Sequence, residues 1–532
     1  MRRSVAVVAV AMAVLASACS SDGDDAGTGP AVDEATVVQA AEVLQGAPEA
    51  GACDDSDEAA CLLPWPNDRF TRADADAATG RRVDLPADGM PANAEGLGID
   101  PAEWNRNDGF SPVSHLITVV EDLDPVASDL PVVTDIGAGG DGLIVVEASE
   151  GPDPTVPAWA ELDANAPDPS TAPLLIVPAV ALAEGRTYVV GLRGLVRTDG
   201  SEVEPSAAFQ AQMDDPDDRS QAIFDVLAGQ GWDPAELDLA WSFTVGSADD
   251  LSGRLRHMWA ETSAEVGEGA PPFTVDEVTV EGPARIVRGT FEMPRYLTGD
   301  GGPGTVLANE GDPDGLPEAD GTMDASYLCL LPDGANSRDR SQASDVSTVI
   351  YGHGLLGSRE EATGLGSLGV TVGLAFCALD FIGMSTADVE AIVDSFSDLT
   401  AFRTVPDRLQ QGHLGFLLLG RLIASAEGFA TDPAFQDPFG APILAGSIAY
   451  LGASQGGILG GAPSSLAEDW DRSILAVGGM GYNLLLRRSI EFDEFLPALE
   501  ASYPDPVDQA MLPDLLEQLW QRGENAAYAQ HL

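Results

Sequence analysis

The chain contains no lysine. Its 26 basic residues are all arginine, set against 86 aspartates and glutamates, for a formal charge of -60 over 532 residues. Such a surface repels nucleic-acid phosphate and anionic headgroups, which argues against both as electrostatic partners. The charge serves solubility and identifies no ligand. Histidine is scarce, at five residues, and no Cys-x-x-Cys occurs, so no metal or cofactor site is expected. Long apolar runs are missing too. Beyond the first 18 residues nothing approaches the roughly 20 that a membrane span requires.

The start of the chain reads as an export signal. Arg2 and Arg3 precede an apolar run at 5–15, which ends in Ala16-Ser17-Ala18-Cys19. Residues 1–18 are the expected signal peptide. A cysteine directly after Ala-x-Ala resembles the lipobox of bacterial lipoproteins. That resemblance implies acylation of Cys19 and membrane contact through a lipid anchor at the cell surface, with plain secretion as the alternative. Residues 19–46, rich in Asp, Gly and Ala, are expected to be a flexible tether. Four cysteines remain, an even number suited to an oxidising compartment. Cys53 and Cys61 are close enough to close a short loop, which leaves Cys329–Cys377 as the second bridge, between the ends of two strands.

Residues 47–270 read as a β-rich, sandwich-like domain. Short apolar runs at 174–177 and 187–192 alternate with Pro, Gly and Asp turns, and a helix interrupts them near 220–229. The phrase 182–188 resembles the strand entry of bacterial immunoglobulin-like modules. Leu63-Pro64-Trp65-Pro66-Asn67-Asp68 and Asn107-Asp108-Gly109-Phe110 resemble the N-terminal domain of the bacterial virulence factor lipases. Ordinary turn chemistry accounts for the same residues. From 271 to 532 strands alternate with helices: strands at 285–293, 327–331, 346–351, 374–381, 447–451 and 473–480, with a helical region at about 387–430. This grammar predicts a parallel, doubly wound α/β sheet. An acidic loop, 312–321, lacks the ligand spacing of a calcium-binding hand and is expected to be solvated.

The chemistry concentrates at Gly452-Ala453-Ser454-Gln455-Gly456. An apolar strand runs into this string and a small-residue helix follows. That context is the nucleophile elbow of α/β-hydrolases, where a strained turn exposes a serine hydroxyl and flanking glycines let strand and helix approach. Upstream, Tyr351-Gly352-His353-Gly354-Leu355 ends another strand in a glycine turn. His-Gly-Leu with Ser-Gln-Gly-Gly resembles the bacterial true lipases. The resemblance implies oxyanion donors at the Leu355 and Gln455 amides, with His353 as loop structure.

The rest of a triad is harder to find. The fold implies the order Ser, acid, His, yet no strand-borne acid or base follows residue 480. His531 is the sole downstream histidine and the candidate base, with Asp493 as a displaced acid; otherwise the sheet is incomplete at its C-terminal edge and the chain truncated. His413 reads as a packed helix residue, Asp380 as a structural carboxylate, and His115 and His257 as residues on which nothing converges. The expected function is an exported serine esterase or lipase acting on a small-molecule, lipid or polyester ester. The alternatives are an inactive binding protein on the same scaffold and a serine peptidase.

Overall fold

The computed structural model describes residues 32–48, 53, 56–57, 59–136, 140–149, 154–309, 315–332 and 346–532. The leader, Cys19 and the start of the acidic loop lie outside them. The expected tether does not hold throughout. Glu34–Gln45 is a helix, capped by the Asp33 carboxylate on the Thr36 amide, with Ala40, Ala41 and Leu44 buried. Those three share one face and pack on the helix Asp218–Gly229, where Gly229 lets Val37 approach. A composition rich in Asp and Ala hides this short apolar stripe.

A small hairpin, β1 (Thr71–Ala73) with β2 (Arg81–Val83), precedes two three-stranded antiparallel sheets. One has the order β3 (Leu116–Val119), β6 (Pro173–Pro178), β5 (Ala158–Leu162). The other has β4 (Leu143–Glu147), β7 (Thr187–Arg193), β8 (Leu237–Thr244). Asp68, from the Pro-Asn-Asp turn, does more than turn the chain. Fully buried, its Oδ2 lies 2.7 Å from Arg81 and 2.5 Å from Arg219 and accepts from the Thr244 hydroxyl at 3.0 Å.

The remaining strands form one seven-stranded sheet. They are β9 (Phe273–Glu281), β10 (Ala284–Pro294), β11 (Thr322–Pro332), β12 (Thr348–Gly352), β13 (Ala375–Ala378), β14 (Ile448–Ala453) and β15 (Ser473–Ala476). Their spatial order is β15-β14-β12-β13-β11-β10-β9. The sheet is mixed, not wholly parallel. β12 to β15 run parallel, whereas β9, β10 and β11 pair antiparallel. The reason is the connection between β9 and β10: Gly282-Pro283 spans two residues, Gly282 has φ 60°, and so short a link permits only a hairpin. β9, with its charged and largely exposed positions, carries too little apolar pattern to be read as a strand. Both disulfides form, and Cys329 and Cys377 face each other across β11 and β13.

The two halves share one buried core. Trp104 donates its indole N–H to the Leu515 carbonyl at 2.7 Å. Beside it the buried Glu103 carboxylate gathers Arg522 at 2.5 Å, Arg403 at 3.0 Å, Arg106 at 3.1 Å and Arg254 at 3.5 Å. Burial opposes ionisation of Glu103, but the guanidiniums outweigh it and hold the carboxyl far below its ordinary range. Removing that carboxylate strands buried cations, Arg522 above all, because it is 1% exposed. Glu103→Ala should therefore cost about 3–5 kcal/mol in urea unfolding; a loss under about 1 kcal/mol would show that the cluster does not hold the halves together.

Candidate active site

β14 delivers Ser454 to the top of the sheet, and the helix Gln455–Leu459 leaves from it at once. The turn between them is strained: Ser454 has φ 54° and ψ -120°. Only close backbone approach permits it. A Cβ on Gly452 would sit 1.9 Å from the Gly456 carbonyl oxygen, and one on Gly456 would sit 2.3 Å from that of Gly352. The Tyr450 hydroxyl pins the same Gly456 carbonyl at 2.7 Å. Ser454 is exposed, does not cap its helix, and its hydroxyl has no hydrogen-bond partner among the described residues. It faces open space.

The glycine loop after β12 lies alongside. His353 is buried and holds the loop: its Nε2 accepts from the Phe381 amide at 2.8 Å, and its Nδ1 donates to the Gly354 carbonyl at 2.9 Å. Burial lowers its pKa, which keeps the ring neutral and suited to accept. The next residues bend sharply, with Leu356 at φ 47°. Gln455 clamps this bend to the elbow. Its side chain accepts from the Leu356 amide at 3.2 Å and donates to the Met384 carbonyl at 2.9 Å. The Leu355 and Gln455 amides find no acceptor among the described residues. For Gln455 this is the ordinary state of a first-turn helix amide. Leu355, Ser454 and Gln455 all line one cavity of about 380 Å³.

That cavity is mostly hydrocarbon. Ile392, Phe396 and Phe402 line it, together with Leu516 and Trp520 of the helix Pro506–Trp520 and Phe492, Phe495 and Leu499. Tyr482 stacks on Trp520 at 4.0 Å, and Phe402 meets the same indole edge-on at 5.1 Å. Arg488 and Glu491 are the charged groups on its lining.

Among the described residues no histidine lines the cavity. His531 does not turn toward Ser454: its ring lies 2.9 Å from Glu184 on the chain's first half, held by the short turn that ends the chain. His413 is buried, bonded to the Gly523 carbonyl, with burial lowering its pKa to about 4. His257 bonds the Pro317 carbonyl and pairs with Glu261. Asp380 binds the backbone and guanidinium of Arg359, a structural role, and Asp493 is exposed and off the lining. His115 corrects the sequence reading, because something does converge on it. Asp514 accepts from its backbone N–H at 2.7 Å and from Nδ1 at 2.8 Å, and Asn483 bonds the same carboxylate. Nearly 400 residues separate the pair in sequence, so no local signal announces it.

No family model and no curated protein matches the chain. Among solved structures, 67 chains match. An acetyl xylan esterase from Paenibacillus sp. R4 is 14% identical, with TM-score 0.30, over 51% of this chain and 73% of that one. Acetyl xylan esterase 1 from Thermoanaerobacterium sp. JW/SL YS485 is 11% identical, with TM-score 0.29, over 52% and 74%. Oligopeptidase B from Trypanosoma brucei is 11% identical, with TM-score 0.20, over 44% of this chain and 41% of that one. A Bacteroides fragilis structure provisionally assigned as an acetyl xylan esterase is spanned over 51% of its length, about half. Likeness this distant leaves the functional argument to the site itself.

If the glycine contact creates the turn, Gly452→Ala should destabilise the chain by about 1–3 kcal/mol and displace the Ser454 hydroxyl. Thermal unfolding together with serine-directed labelling checks this. Unchanged stability and labelling would mean that the approach is not needed.

Proposed function

We propose that the chain is a serine carboxylic ester hydrolase that works through an acyl-Ser454 intermediate and takes the apolar acyl group of its ester into the adjoining cavity. The observation that carries this is the Ser454 turn: an unpartnered hydroxyl on a strained backbone, between two amides that lack acceptors. The hydroxyl oxygen attacks the ester carbonyl carbon. The developing oxyanion accepts from the Leu355 and Gln455 amides, the alcohol leaves with a proton, and water then releases the acid. A hydrocarbon cavity favours an alkyl or aryl acyl group over a sugar or a charged peptide, since it offers buried polar groups few partners. On this reading the leader exports the protein, with Cys19 its lipid attachment.

With the chain's histidines engaged elsewhere, the Ser454 proton passes to solvent or hydroxide. Oxyanion donors and binding alone leave about 10³–10⁴-fold acceleration over water in serine hydrolases stripped of their triad. A second reading follows from the same observation: a binding protein that keeps the cavity and has lost turnover.

A fluorophosphonate probe and a p-nitrophenyl ester series separate the two. The expected result is a probe mass on Ser454 and slow hydrolysis, first order in hydroxide and abolished by Ser454→Ala. The specificity constant should rise by about fourfold per acyl methylene until the cavity is full. Absence of label, or label that persists in Ser454→Ala, sinks the hydrolase and leaves the binding protein.

A further inference from the structure

Behind the cavity lies a buried group of carboxyls that the chemistry above does not use. Asp514 and Glu517 project from the helix Pro506–Trp520, and Glu524 follows four residues after it. All three are fully buried. They hold one turn, Gly481 to Asn483, that links the end of β15 to the cavity. Glu524 accepts from the Gly481 amide at 3.4 Å and from the Ala526 amide at 3.1 Å. Glu517 accepts from the Asn483 amide at 3.4 Å, and Asp514 accepts from the Asn483 side chain at 2.8 Å. Tyr482, at the centre of that turn, is the ring stacked on Trp520 in the cavity wall.

The groups facing the carboxyls offer little compensation. From the turn comes the Tyr482 phenol. From the first half of the chain comes His115, already spent on Asp514. From the helix Thr404–Ala424 comes His413, bonded to the Gly523 carbonyl beside Glu524 and neutral. Arg522, the nearest guanidinium in sequence, points away to Glu103 and Asn107. Glu517 and Glu524 bond amides two residues apart in the same turn, and the buried Glu517 Oε1 has no other partner among the described residues. Two buried carboxyls with no cation between them can share a hydrogen bond only while one of them keeps a proton.

We propose that the Glu517–Glu524 pair is a proton-held latch on the Gly481–Asn483 turn, and that its deprotonation loosens the wall of the Ser454 cavity. The inference rests on the reading of that cavity as the substrate site and adds regulation to it. With the proton present, Glu517 donates to the Glu524 carboxylate, which keeps accepting from Gly481. When hydroxide takes the proton to water, two like charges face each other without solvent. The low-cost relief is to swing the turn outward, and Tyr482 leaves Trp520 with it.

The direction with pH follows. Burial raises Glu524 to about 7, and burial with the neighbouring Glu524 charge raises Glu517 further. The folded state therefore binds more protons than the unfolded state above about pH 4.5, the ordinary glutamate value. The pair's contribution to stability is fullest below that pH, falls as pH rises toward about 7, and goes on falling as Glu517 ionises.

Hydrogen exchange on the full chain without substrate tests this, corrected for intrinsic rates, at about pH 6 and about pH 9. Protection across 478–502 should fall about tenfold or more between the two, while β10 and β11 keep theirs. In Glu517→Gln the amide still donates to Glu524 and cannot ionise, so protection should hold at both pH values. Glu524→Gln is the second variant, should the first fail to fold. A wild type with no local fall, a fall spread evenly over the sheet, or a fall retained in the folded variant overturns the latch. None of these outcomes bears on Ser454 labelling, so the two readings fail separately.

Discussion

The contact between the Cα of Gly452 and the carbonyl of Gly456 is the constraint on which the site depends. With no side chain at either position, strand and helix can close to a distance no Cβ would survive, and the residue between them has no relaxed conformation left. Ser454 is held at positive φ, its hydroxyl is left exposed, and the helix starts at once, so the Gln455 amide beside it is a first-turn donor with no intrahelical partner. Strain and exposure are two consequences of one packing fact, and the helix start sets an orphaned donor beside them. Gln455 then couples that fact to the neighbouring loop, since its side chain holds Leu356 on one side and Met384 on the other.

This explains why the elbow could be read from sequence and much else could not. A turn that needs glycines at fixed offsets, preceded by an apolar strand, writes its geometry into consecutive residues. The same holds for the parallel strands β12 and β14, whose apolar runs reflect burial, whereas His353 was placed in the loop by resemblance alone. Long-range pairings leave no such trace. Nothing near His115 points to Asp514, and Asp68 in its Pro-Asn-Asp turn looks like surface punctuation until Arg81 and Arg219 arrive from elsewhere in the chain. The helix Glu34–Gln45 fell between the two cases, since its buried stripe is only three residues wide. The cavity was foreshadowed only as helical sequence after the elbow, because its walls come from five separate stretches.

The absence of lysine acquires a structural sense here. Buried cations do much of the joining in this molecule: Arg81 under Asp68, Arg522 under Glu103, Arg408 against Asp388. Each reaches several acceptors at once; Arg81, for instance, also bonds the Leu44 and Gln45 carbonyls that end the first helix. A planar guanidinium can serve a carboxylate and nearby carbonyls together and is less strongly hydrated than an ammonium, so its burial costs less. In a chain with so large an acidic excess, basic side chains of this kind act as internal ties.

Those ties decide where the cavity wall stands. Leu516 and Trp520 belong to the helix Pro506–Trp520, which lies outside the large sheet. Besides its packing on Phe402, Tyr482 and the helix Thr404–Ala424, it is tied by Trp104 on the Leu515 carbonyl and His115 on Asp514, and just beyond its end by Glu103 on Arg522, three ties from the first half of the chain. The β-rich half is therefore part of the site's scaffold even though it contributes no residue to the cavity lining. A site arranged in this way separates two jobs. The glycine turn sets the Ser454 hydroxyl by local sterics, while the shape of the pocket is set from a distance through buried polar pairs. Local sterics hold at any pH; pairs that depend on a proton do not.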